Sequence, residues 1–136
     1  MKVSGIKYIE LGFISLKKNK NMGLCYNLNK KTISALNIPK NLDIGCMINA
    51  SDMISGNLKK KKLTHLLMHN NIPLFSFIRI ACHANEIKKI FNYLDEIKKF
   101  KKKLIINLMQ ISEFDDFKIN SIVKKLAKKN VYVIYF

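Results

Sequence analysis

With 136 residues the chain has room for about one domain, and its 49% hydrophobic content can build a core, which excludes a chain disordered by composition. Its formal charge is +16, from 25 basic against 9 acidic residues, but 24 of the 25 are Lys and Arg79 is the single Arg. Arg is the side chain that reads base edges and grips phosphates with two bonds, so this balance argues against a specific nucleic-acid reader, and the 59 Lys, Ile and Asn residues fit an A/T-rich coding sequence.

Five short apolar runs recur along the chain, at residues 6–15, 42–50, 74–82, 104–111 and 131–136. They are nearly continuous rather than alternating, which predicts strands covered on both faces. Between the first and second, residues 32–36 predict one helical turn before Pro39. Leu63, Leu66 and Leu67 predict a short helix before Pro73. After the third run, Ile87, Ile90, Phe91, Leu94 and Ile97 form an amphipathic stripe, with Asn85 as the expected N-cap and Glu86 in the first turn. After the fourth, Phe114, Phe117, Ile122 and Leu126 mark another helix, and Ser112 stands before Asp115 at capping-box spacing. The Lys runs at 59–62 and 98–103 are expected to be solvated helix ends and turns.

Strands alternating with helices predict a parallel α/β sheet with right-handed crossovers, and no Gly- or Pro-rich linker divides the chain. Two architectures fit. One is part of a (β/α)8 TIM barrel, with about five parallel strands; the alternative is a five-stranded open flavodoxin-like sheet. No apolar run reaches the roughly 18 residues of a membrane span, and residues 1–5 lead into a strand with no signal-peptide core. Cys25, Cys46 and Cys82 include no CxxC pair, as expected for free, mostly buried thiols in a reducing cytoplasm.

The polar residues inside the apolar runs carry the functional signal. Glu10, Asn49, Arg79 and Asn107 fall one to a run on four consecutive runs, and His83 lies on the same side as Arg79. A buried unpaired charge costs several kcal/mol, so these residues either line a barrel mouth or satisfy one another. In the second case Glu10 and Arg79 form a buried ion pair and the Asn side chains bond to backbone. His65 and His69 have i, i+4 spacing but lack the Glu of an HExxH motif, and are expected to be a surface pair. No Gly-rich phosphate loop, GxSxG or acidic calcium loop is present.

At the same runs the sequence resembles the HMG-CoA-lyase-like (pyruvate carboxyltransferase) family of TIM barrels, in its 4-hydroxy-2-oxovalerate aldolase-like branch. Tyr8-Ile9-Glu10-Leu11-Gly12-Phe13 is similar to the "YIEIGF" of that family's second strand. Asp43-Ile44-Gly45-Cys46-Met47-Ile48-Asn49-Ala50 resembles the third strand, and Ile78-Arg79-Ile80-Ala81-Cys82-His83-Ala84-Asn85-Glu86-Ile87 the fourth strand and the start of its helix. Asn107-Leu108-Met109-Gln110-Ile111-Ser112 resembles the fifth strand and residues 131–136 the sixth.

The resemblance implies one partial barrel domain over residues 1–136, lacking the family's first, seventh and eighth strands. It implies a lyase ancestry, with aldol or Claisen chemistry on C–C bonds next to a 2-oxo acid. Glu10 matches a catalytic acidic position, and Asn49, Arg79, His83 and Asn107 match substrate-binding positions. The family uses a divalent metal, Mn or Mg, held by a "TLRDGG"-like Asp and an HxH pair; neither motif is in this sequence, so no metal ligand is assigned and weak metal binding is expected. The expected partners are a 2-oxo acid or aldehyde and a complementary fragment or oligomer, with no membrane and no specific nucleic acid. The expected localisation is cytoplasmic, and the chain alone is expected to be inactive.

Overall fold

The five apolar runs fold as five parallel strands, and the spacing of their buried residues shows which side of the sheet carries the core. The computed structural model describes residues 5–15, 22–55, 60–69 and 74–136, without the side chains of residues 60–62, 66 and 69. The expectations for Pro73 and Lys59 and for the side chains of Leu66, His69 and 60–62 lie outside the described residues. The strands are β1 (Tyr8–Phe13), β2 (Asp43–Asn49), β3 (Phe77–His83), β4 (Lys103–Met109) and β5 (Val133–Tyr135). The helices are α1 (Lys30–Ala35), α2 (Ala50–Ser55), α3 (Lys60–His69), α4 (Ile87–Lys98) and α5 (Asp116–Ala127).

The sheet order is β1-β2-β3-β4-β5, every neighbour pair parallel. A flavodoxin-like sheet reverses direction once, in the order 2-1-3-4-5, and so places helices on both faces. Here there is no reversal, and right-handed crossovers that always step the same way deliver the helices to one face. The sequential order is that of a barrel segment.

The core forms on that helix-covered face. Cys46, Ile48, Ile78, Ile80, Cys82, Leu104, Ile106 and Leu108, alternate residues of β2, β3 and β4, cluster with Leu63, Leu67, Ile87, Ile90, Leu94, Ile97, Ile122 and Leu126 from the helices. The intervening residues of the same strands point the other way. Phe77, Ala81 and Ile105 on that second face are buried yet stand outside the core cluster. The expectation of strands covered on both faces is therefore corrected. Helices cover one face, and apolar residues on the open face hide the two-residue alternation in the sequence.

Helix ends also depart from expectation. α1 begins at Asn29, whose side chain accepts from Thr32 N at 3.0 Å. The residue before α4 is Glu86 rather than Asn85, and its carboxylate turns back to accept from His83 N at 2.9 Å. Asp115, not Ser112, caps α5, accepting from Lys118 N at 2.7 Å. α2 starts directly where β2 ends and was not expected. No helix among the described residues is long and apolar enough to cross a membrane.

Candidate functional site

Residues of β1, β3, β4 and β5, with Tyr132 just before β5, line one cavity of about 430 Å³ on the open face: Tyr8, Glu10, Phe77, Arg79, Lys103, Ile105, Tyr132, Val133 and Tyr135. Five flat strands would span about 19 Å, so a cavity shared by the first and last strands requires the sheet to curl around this face. Glycines mark two close approaches on these strands. A Cβ on Gly45 would lie 2.0 Å from the Phe77 ring, so its absence lets that ring lie over the β2 backbone. Gly12 has φ +146°, where β1 breaks register with β2, and a Cβ there would meet the Cys25 carbonyl oxygen at 2.3 Å.

Glu10 and Arg79 meet in the lining of the cavity. Arg79 Nε donates to Glu10 Oε2 and Arg79 Nη2 to Glu10 Oε1, each at 2.6 Å. The bridge spans β2, because β1 and β3 both pair with that strand. The side chains keep 28% and 24% exposure, so the pair is open to a ligand rather than sealed in a core. The hydrogen bond to Glu10 holds the Arg79 guanidinium above its usual pKa. Two of five guanidinium N–H groups serve Glu10, which leaves donors for a second anion. The expected pair thus forms, half-buried.

The other expected site residues lie nearer the carboxyl ends of the strands and do not line this cavity. Asn49, Ala81, Asn107 and Tyr135 make one row across the sheet, and His83 pairs with Met109 two residues further on. Asn49 and Asn107 make no side-chain hydrogen bond among the described residues, so the expected backbone bonds are not seen. The His83 Nδ1 is buried without a hydrogen-bond partner.

At the amino-terminal end of the cavity stands a group that the sequence reading did not single out. Lys103 Nζ donates to Tyr8 Oη at 2.9 Å. It lies 4.7 Å from the Tyr8 ring centroid and 5.0 Å from that of Tyr132. Tyr8 meets Phe77 edge to face at 6.2 Å. The hydrogen bond from Lys103 lowers the Tyr8 pKa, and the same bond raises that of Lys103. The only sequence signal was Tyr8 and Lys103 entering their strands at matching positions, each two residues before a cavity residue.

Among the described residues no group of three or more His, Cys, Asp or Glu could hold a metal ion, and His65 lies exposed on α3. Cys46 and Cys82 face the helices, where burial raises both thiol pKa values, that of Cys82 to about 12; Cys25 is exposed.

No protein-family model matches the chain, and no curated protein matches it. Among solved structures the chain is similar to the "N-terminal domain of a putative aldolase from Bacteroides vulgatus", with a TM-score of 0.65 and 19% identity over 96% of this chain. The chain spans about half of that neighbour, covering 50% of it. At this identity the likeness establishes a shared α/β fold of parallel strands and helices.

Proposed function

We propose that this chain is the ligand-holding wall of an aldolase-type barrel related to the HMG-CoA-lyase-like lyases, and that Arg79 binds the carboxylate of a 2-oxo acid. The observation that carries this reading is the two-bond Glu10–Arg79 bridge, about a quarter exposed in the cavity. Glu10 uses both oxygens on Arg79, so its part is to hold the guanidinium with its remaining edge toward the ligand rather than to abstract a proton. Asn49, His83 and Asn107 stand toward the carboxyl ends, where barrel enzymes keep their reacting groups, and would contact the rest of the substrate. The fold likeness to a domain described as part of a "putative aldolase" supports the class. The described residues offer no metal-ligand set, so no step is assigned to a metal.

Pyruvate binding followed by NMR tests the reading. We expect saturable binding in the millimolar range, weakened about tenfold in Arg79→Gln, since a hydrogen bond to a charged group contributes roughly 1.5–3 kcal/mol. The purified chain should release no pyruvate from 4-hydroxy-2-oxovalerate when Mn²⁺ or Mg²⁺ is added. Equal pyruvate binding by wild type and Arg79→Gln, or metal-stimulated turnover, overturns it.

A further inference from the structure

We propose that the amino-terminal end of the cavity binds a small planar aromatic carboxylate, with Lys103 as the anion contact and the rings of Tyr8, Phe77 and Tyr132 as walls. The ammonium is fixed before any ligand arrives. One of its three N–H donors serves Tyr8 Oη, and two rings lie within 5.0 Å of it. The remaining donors suit a carboxylate.

The charge count selects a monoanion. Lys7, Arg79 and Lys103 stand near Glu10 and Asp43, an excess of one positive charge. The walls select a flat ring. Tyr8 and Phe77 already pack edge to face with 72° between their planes, and the Phe77 ring lies over Gly45 as a floor. Tyr8 and Tyr132 keep 43% and 57% of their surface exposed, so their ring faces are accessible to a ligand. The box is one end of a cavity of about 430 Å³, within the range of about 300–1,000 Å³ usual for small-molecule sites.

The position separates this site from the 2-oxo acid reading. Lys103 pairs with Phe77, whereas Arg79 sits two residues further along β3 toward its carboxyl end. Barrel active sites lie at the carboxyl ends, so the aromatic box is not the expected catalytic mouth.

Benzoate is the probe, followed by NMR through the Tyr ring and Lys103 side-chain signals. Benzyl alcohol and cyclohexanecarboxylate are the controls for charge and for ring. We expect saturable benzoate binding in the millimolar range, with both controls about tenfold weaker. Lys103→Met and Tyr132→Leu should each weaken benzoate about tenfold, and Lys103→Arg should restore it. Arg79→Gln should weaken pyruvate more than benzoate, and Lys103→Met benzoate more than pyruvate, so the two sites fail separately. If Lys103→Met does not fold, the two controls and Lys103→Arg decide. Absence of saturable benzoate binding, cyclohexanecarboxylate binding as well as benzoate, or unchanged binding in a folded Lys103→Met overturns the proposal.

Discussion

Cys46 and Cys82 point from adjacent strands into the helix-covered core, and their burial ties stability to pH. The ordinary thiol value is 9.0, and in the fold Cys82 is raised to about 12, first by burial and then by the charge of Glu86. Below 9.0 both folded and unfolded chains keep these protons, so pH has no effect through them. Above it the unfolded chain ionises while the folded chain holds the proton. The unfolded state then binds fewer protons, and stability falls as pH rises, by on the order of 1 kcal/mol per pH unit for each thiol. Urea midpoints measured from pH 8 to 11 should decline, and Cys82→Ala should show a shallower decline from a lower start. Equal slopes in the two proteins would contradict this account. Burial of two of the three cysteines was legible from their apolar strand contexts; which face they occupy was not, since a one-residue change of register reverses it.

At the scale of elements, α5 carries a cap whose contribution can be isolated. Asp115 accepts from Lys118 N at 2.7 Å, and Asp116 adds a second negative charge in the first turn. The cap is exposed, so Asp115→Ala removes it without opening a core cavity. The expected loss is about 1 kcal/mol in chemical denaturation, with Asp115→Asn losing only a few tenths. Ser112→Ala, at the position the sequence pattern suggested, should change nothing measurable. All five strands and four of the five helices were legible because apolar runs and i, i+3, i+4 stripes survive without tertiary information. α2 was not, since Ala50–Ser55 is too short for a period and follows β2 without a turn residue. Asn85 looked like a cap by residue type, but Glu86 takes the backbone donor of His83 and the chain turns one residue later.

For the whole molecule, the net charge of +16 acts against the open face of the sheet. The order of the strands was legible from their alternation with helices, and the Glu10–Arg79 pair was one of two stated options for the polar strand residues. The box of Tyr8, Lys103 and Tyr132 was not, because Lys103 lies 95 residues from Tyr8 and only the curl of the sheet brings them together. That curl leaves Tyr8, Tyr132 and Tyr135 half-exposed on one surface. Apolar surface of this kind favours association, while like charges on every copy oppose it. The balance depends on salt, since the screening length falls from about 30 Å at 0.01 M to about 3 Å at 1 M. Sedimentation should therefore find monomer at low salt and growing oligomers as salt rises. Tyr132→Lys, which places charge on the open face, should move that transition to higher salt. A monomer at every salt concentration would mean that the curl alone shields these rings. Dissociation on adding salt would mean that charge pairs, not the open face, join the copies.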